Sequence, residues 1–447
     1  MNFDAVKDCL IAEAKRAGLE EFEVFFMEST DRSTETLKDE ISSFSSGVSG
    51  GVCFRCVVDG HMGSAASELL TEEEMRALVA RAMEGAKIIE NDDKAILFDG
   101  SERYETVENE SFFETDTARL KELALTIQKN TYAEDAAVSD GTQSGVFSNE
   151  IRMVLMNSKG LKLTNTASIS GAFVQAVIQK DGEAQEAFDF SVGLEEKALE
   201  EISYRAVREA VSKLGAVEIE SGKYDIVIDG EQMRSLLSSY CSVFSAKNAQ
   251  KGLSLLKGKE GEVIAAPIVT LVDDPMRKDC PMKTPFDGEG VATYRKNVIE
   301  NGVLKTLLYD LATADRAGID STGNGQRTSY AEAVGIKPYS FYIAPGKISH
   351  DEMLAKVGNG VYITGFKGLH AGCNPVTGDF SIECEGYRVR DGKVCEAIKS
   401  FTIAGNFFDF LKGIEEVGDQ VKFGIPSGFT VFGSPDVLIR SMSVGGK

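Results

Sequence analysis

At 447 residues the chain is too long for one small core, so two domains are expected, and its 43% hydrophobic and 26% charged content is that of a globular protein. A formal net charge of −22 excludes the basic surface that would hold phosphate backbones or anionic lipid, so neither nucleic acid nor membrane is an expected partner. The first residues form no basic, apolar leader and the eight cysteines are sparse, so the expected address is the cytoplasm.

Residues 4–17 predict a helix carrying Val6, Leu10, Ile11 and Ala14 on one side. Strands are predicted at 22–27, 34–41 and 50–58, the last reversing at Asp59-Gly60. Thr71-Glu-Glu-Glu74 is a capping box, opening a helix that turns Met75, Leu78, Val79, Ala82 and Met83 inward. A polar crossing segment at 91–114 leads to a helix at 116–129. A meander follows at 136–191, and a helix at 194–214 aligns Ile202, Ala206 and Ala210. This first unit, 1–222, reads as α+β, with helices on one face of an antiparallel sheet.

The second unit, 223–447, reads as β-rich and largely antiparallel. It opens with a strand at 223–229 and a helical pattern at 230–249, then strands at 268–272, 294–299 and 303–309, the last two joined by an Asn301-Gly302 turn. The glycine-rich 321–327 matches no nucleotide-binding fingerprint and reads as a loop. The most densely specified stretch is 370–411. Asn374, Pro375, Gly378 and Asp379 predict a reversal before Phe380, Asp391-Gly392 a hairpin, and Asn406 the cap of a helix with Phe407, Phe410, Leu411 and Ile414 on one apolar face.

Chemistry must come from few residues. Cys53 and Cys56 form a C-x-x-C on a predicted strand, where residues three apart face opposite ways, so they are ordinary strand cysteines. The three histidines, His61, His350 and His370, lie in no helix-borne zinc motif. His370, Cys373 and Asp379 are the one local set that could hold a metal, against the reading in which Asp379 caps backbone and Cys373 fills an apolar gap. Ser254 and Lys257 are formally S-x-x-K but read as a solvated basic loop. The pairs Asp273-Asp274 and Asp287/Glu289 are of a kind common in exposed loops.

Several stretches together resemble the TldD/PmbA family, also known as modulators of DNA gyrase, and are closer to its PmbA (TldE) branch. They are Gly51-Val-Cys-Phe-Arg-Cys-Val-Val-Asp-Gly60, Thr284-Pro-Phe-Asp-Gly-Glu-Gly290, Glu300-Asn-Gly-Val-Leu304, Ser321-Thr-Gly-Asn324, Thr377-Gly-Asp-Phe-Ser381 and Thr402-Ile-Ala-Gly-Asn406. The resemblance implies a two-domain protein of a peptide-processing family whose TldD branch carries zinc on H-E-x-x-x-H and a late cysteine. Here the corresponding helix reads Leu237-Ser-Ser-Tyr-Cys-Ser242, so Leu237, Ser238 and Ser242 stand at the ligand and base positions, and Pro426-Ser427-Gly428 stands near the late cysteine. The implied role is a non-catalytic subunit that binds no cofactor, leaves zinc to a TldD-like partner and holds an unfolded peptide as an added strand. The expected peptide- or partner-facing surface is Gly372, Asn374, Thr377, Gly378, Asp379, Phe380 and Ser381. Pairing of two copies when that partner is absent is left open by the sequence, and the alternative function is an autonomous metal-dependent peptidase using His370 and its neighbours.

Overall fold

The computed structural model describes residues 3–89, 94–107 and 113–447, so residues 91–93 and 108–112 of the expected crossing segment lie outside the described residues. The first half is one six-stranded antiparallel sheet, ordered β3-β2-β1-β4-β5-β6. Its strands are β1 (Phe22–Leu37), β2 (Glu40–Val58), β3 (His61–Ser67), β4 (Gln143–Asn157), β5 (Lys162–Lys180) and β6 (Glu183–Val192). Tight turns with positive φ at Asp59-Gly60 and Asp181-Gly182 set two of its hairpins.

The sequence predicts three short strands between residues 22 and 58, but β1 and β2 are two continuous strands of 16 and 19 residues. The polar run from Glu28 to Ser33 stays extended because β2 and β4 bond to its backbone on both sides. Alternation then sorts the side chains. Phe22, Val24, Phe26, Phe54 and Cys56 face helices α1 (Phe3–Arg16) and α2 (Glu72–Lys87), while Phe25, Met27 and Cys53 face the second half of the chain. The two cysteines therefore do point to opposite faces. Helices α3 (Thr117–Glu134) and α4 (Glu196–Ser212) cover the helical face over β4 and β5, with Ile202, Ala206 and Ala210 buried. Half of the expected capping box forms: Thr71 accepts the Glu74 N–H, while the Glu74 carboxylate turns to Arg81, and α3 is capped by Asp116, which accepts the Ala118 N–H.

In the second half, the described strands are β7 (Gly222–Ile228), β8 (Leu271–Asp273), β9 (Lys296–Glu300), β10 (Val303–Leu304), β11 (Gly325–Gln326), β12 (Gly335–Ile336), β13 (Ser340–Ile343), β14 (Gly360–Lys367), β15 (Asp379–Arg390), β16 (Lys393–Asn406), β17 (Ile414–Val417), β18 (Lys422–Phe423), β19 (Val431–Ser434) and β20 (Val437–Gly445). One sheet runs β16-β15-β14-β7-β20-β17, and the pairing of β16 with the end of β20 closes it on itself. The other runs β10-β9-β8-β13-β19-β18. Two pairs, β7–β14 and β13–β19, are parallel within this otherwise antiparallel unit. Helix α5 (Gly230–Tyr240) lies in the core shared by both sheets, burying Met233, Leu236, Leu237 and Tyr240. The expected helical run to residue 249 breaks after Tyr240 into a 3-10 turn, Cys241–Phe244, and a short helix, Ala246–Gln250, capped by Ser245.

The stretch 370–411 takes the expected turn, hairpin and capped helix, but the helix stops at Gly413, and Ile414, expected on its apolar face, opens β17 because it pairs with Ile439 of β20. Asn374 Oδ1 accepts the Val376 N–H at 3.0 Å, Gly378 has φ +83°, and Asn406 Oδ1 accepts the Phe408 N–H at 3.1 Å. Tyr240 anchors it from α5, stacking on Phe407 at 4.3 Å and donating to the Asp379 carbonyl at 2.7 Å.

Candidate functional site

The non-helical face of the first sheet meets the second half across a core that includes Phe25, Met153, Leu155, Met282, Phe286, Tyr339 and Phe429. Beside this junction a cavity of about 790 Å³ opens between the β1–β4–β5 face, the end of α5 and the loop before β19. Met27, Phe147, Ile169 and Phe429 give it apolar walls. Its polar rim has Asn149 donating to Ser29 Oγ at 2.8 Å and to Asp31 Oδ1 at 2.5 Å. From α5 and the turn after it come Ser238 and Cys241, and from the loop Pro426, Ser427 and Gly428. Burial pushes the Cys241 thiol up to about 11, with Lys337 opposing that shift, so it stays protonated at neutral pH.

A second cavity, also about 790 Å³, lies on the other side of Pro426, which lines both. The edge strand β6 contributes Phe188, Asp189 and Phe190. Arg205 forks onto Asp189, with Nε to Oδ2 at 2.5 Å and Nη2 to Oδ1 at 3.1 Å. Across the cavity, Asp229 caps α5 through the Glu231 N–H at 2.8 Å and accepts from Lys422 Nζ at 2.6 Å and from the Tyr362 hydroxyl. Nearby, Asp436 accepts the Gly230 N–H and contacts His350 Nδ1, both at 2.7 Å. That hydrogen bond raises the His350 pKa. Burial opposes ionisation of Asp436, yet His350 and Lys422 hold its carboxyl below the usual range.

The strongest ionic chemistry sits beneath the junction, and of its members Arg327 reaches the wall of the first cavity. Glu23, 0% exposed, takes Arg55 at 3.2 Å and Arg327 at 2.5 Å, and Arg327 lies over the Phe25 ring at 4.4 Å. The 284–290 and 321–327 segments converge next to it. Asp287 accepts the N–H groups of Glu289, Val291 and Gly325 at 2.9–3.0 Å, and Glu289 accepts that of Leu311 at 2.8 Å. Burial, joined by repulsion from Glu289, pushes Asp287 up to about 8; burial likewise pushes Glu289 up to about 7. Asp273 is buried on Lys296, Asn324 and the Tyr339 N–H. The expectation of exposed carboxylates is thus corrected for Asp273, Asp287 and Glu289: buried partners from distant sequence satisfy them.

Other expected residues fall as follows. His370 is exposed on a short helix, Leu369–Gly372, and Cys373 is half-buried by the Tyr240 hydroxyl. Asp379 is exposed, and hydrogen bonds from Asn406 and Thr377 lower its pKa. The structure does not assemble these three as a metal site: among the described residues no group of three or more His, Cys, Asp or Glu is placed to hold an ion. Asn374, Thr377 and Ser381 are exposed, but an added strand has no free edge beside Phe380. That edge is filled by the chain's own Cys373, which bridges Phe380, and by the Asn374 N–H bonded to the Asp379 carbonyl at 2.9 Å. Gly372 packs so closely on Ser381 that a Cβ there would stand 2.4 Å from the Ser381 carbonyl oxygen. Of the three helix positions, Ser238 lines the first cavity, Leu237 is buried in the core and Ser242 is exposed beyond the helix end. Ser254 is buried and donates to the Val243 carbonyl at 2.6 Å, so it is no free nucleophile.

Residues 22–86, 110–214 and 221–446 match, in turn, PmbA/TldA metallopeptidase domain 1, central domain and C-terminal domain. An uncharacterised protein of Methanocaldococcus jannaschii is 32% identical over 421 residues, spanning 93% of this chain and 95% of that protein. Metalloprotease PmbA of Escherichia coli O157:H7 is 24% identical over 433 residues, or 94% and 91% of the two chains. Among solved structures, a proposed modulator of a DNA gyrase from Thermotoga maritima aligns with a TM-score of 0.89 and 29% identity, covering 99% of this chain and 100% of that one. TldE from Thermococcus kodakarensis shares the fold, with a TM-score of 0.85 and 24% identity over 99% and 100% of the two chains.

The metalloprotease description of such relatives raises a metal ion, which the first cavity can be tested for. There α5, the turn after it and the facing loop supply two serine hydroxyls, a single thiol and no imidazole, and the carboxylate of Asp31 stands on the sheet rim bonded to Asn149. His61 lies in β3, His350 on Asp436 and His370 on the surface. This donor set does not fit zinc, which takes deprotonated thiolate, imidazole or carboxylate ligands.

Proposed function

Because the chain belongs to the PmbA/TldD metallopeptidase family, we propose that it is a non-catalytic subunit, holding an unfolded peptide that a zinc-bearing, TldD-type relative cuts in the cytoplasm. The observation that carries this reading is the donor-poor cavity. Ser238, at the position the resemblance gives to the base, faces the loop 426–428 across it, and the helix and loop positions to which the resemblance assigns zinc ligands carry Leu237, Ser242 and Pro426-Ser427-Gly428, none of them a histidine or cysteine. What remains suits holding. Two cavities meeting at Pro426 give an extended chain a continuous apolar and polar wall. The outer edge of β6 borders one of them and offers main-chain donors and acceptors, which accept varied sequences because side chains are not read. The peptide surface is therefore proposed at β6 and the two cavities rather than at 372–381. Elemental analysis of the purified chain tests the reading: substoichiometric zinc is expected, and stoichiometric zinc retained through gel filtration would overturn it.

A further inference from the structure

One arginine in the second cavity has no counter-charge. Of the acids lining that cavity, Asp189, Asp229, Glu209 and Glu231 each have a cation at 2.5 to 3.7 Å, namely Arg205, Lys422, Lys213 and Arg234. Arg277 lines the same cavity, yet among the described residues no hydrogen bond or ion pair engages its guanidinium, and its Nε is buried without a partner. Asp279, exposed in the same lining, and Asp274, which faces Arg295 at 3.8 Å, both stay beyond ion-pair distance of it. The chain has 70 acidic residues against 48 Lys and Arg, so this cation is not unpaired for want of carboxylates.

Packing fixes Arg277 at both ends. Its guanidinium lies over the Phe423 ring, 3.6 Å from the centroid. That ring meets Tyr342 edge to face at 5.3 Å and lies on Gly433, where a Cβ would stand 2.5 Å from it. At the backbone, the Arg277 N–H donates to the Asp274 carbonyl at 3.2 Å and the Arg277 carbonyl accepts the Cys280 N–H at 3.0 Å. The side chain is therefore ordered in advance, and a ligand need not bear the entropy of fixing it. We propose that Arg277 receives a carboxylate of the bound peptide, from its C-terminus or from an acidic side chain. This rests on the reading in which the peptide lies along β6: Phe188, Asp189 and Phe190 line the same cavity, so a chain on that edge borders the volume that Arg277 faces. Main-chain bonds to β6 hold any sequence, whereas a fork of N–H donors on one carboxylate fixes the register and selects acidic or free-ended peptides over neutral ones.

Fluorescence anisotropy of the full chain with a labelled, unstructured peptide tests the proposal. The peptide is made with a free or an amidated C-terminus, each with internal glutamates or with glutamines in their place. A carboxylate-bearing form is expected to bind on the order of tenfold more tightly than the amidated glutamine form, with a preference that weakens as salt is added. Which of the two changes removes the preference identifies the carboxylate. Arg277→Gln is expected to erase it, and Arg277→Lys, which keeps the charge but loses the fork, to retain part of it. Equal binding of all forms, or a preference that survives Arg277→Gln, would overturn the carboxylate site and leave the holding role standing. No binding of any form would overturn both.

Discussion

Two regions a short distance apart at the domain junction use their residues in opposite ways. In the knot formed by Glu23, Arg55, Arg327, Asp287 and Glu289, all five residues are buried; Glu23 pairs with the two arginines and the other two carboxylates accept backbone N–H groups. In the first cavity, the open volume faces serines, a protonated thiol and apolar walls. The shifted carboxyls Asp287 and Glu289 thus line neither cavity, whereas Arg327, Lys337 and the Cys241 thiol line the first beside its serines and apolar walls. A strongly shifted carboxyl marks a catalytic site only when it opens on a cleft. Here the shifted pair Asp287 and Glu289 holds the junction together.

The sharpest way to break that contrast is Arg327→Ala. It leaves Glu23 buried with Arg55 alone and strips the cation from Phe25, for an expected loss of about 3–5 kcal/mol, read as a lowered midpoint in chemical denaturation. The carboxyl pair gives the next effect. Both pKa values are higher in the fold than in the unfolded chain, so folding takes up protons. The pair's contribution is complete below the unfolded values near 4 and is lost as pH rises through about 7 to 8. Melting temperature followed across that range should show this fall, and Glu289→Gln, which keeps an acceptor for the Leu311 N–H, should flatten it. An unchanged slope would show that the pair is ionised in the fold.

Smaller effects are expected toward the cavity. Tyr240→Phe removes the hydroxyl bonded to the Asp379 carbonyl while keeping the stack on Phe407, at an expected cost of about 0.5–1.5 kcal/mol in chemical denaturation. Ser238→Ala, on the cavity wall, should change stability by no more than about 0.5 kcal/mol. A loss as large as that of Arg327→Ala would place Ser238 in the structural knot instead.

Local signals carried much of the architecture. The Thr71 and Asn406 caps, the Asp391-Gly392 hairpin and the opposed cysteines of β2 are each decided by neighbours within a few residues, and each formed as read. The misreadings involve partners far along the chain. Arg327 and Glu23 are 304 positions apart, and the Gly325 N–H that binds Asp287 is 38 away, so nothing local showed those acids to be buried. Likewise the polar runs of β1 and β2 are held extended by ladders to one another and to β4, a tertiary effect that outweighs their weak strand propensity. At 372–381 the turn folds back and occupies the strand edge beside Phe380 that an added peptide strand would need, a pairing its local turn signals did not show.

The account stands or falls on where cleavage occurs. The direct measurement is hydrolysis of an unfolded peptide by a fixed amount of a zinc-bearing, TldD-type relative titrated with this chain. Cleavage should rise to a plateau at one chain per relative, vanish with a chelator and be absent with this chain alone. Chelator-sensitive cleavage by this chain in the absence of the relative would contradict it.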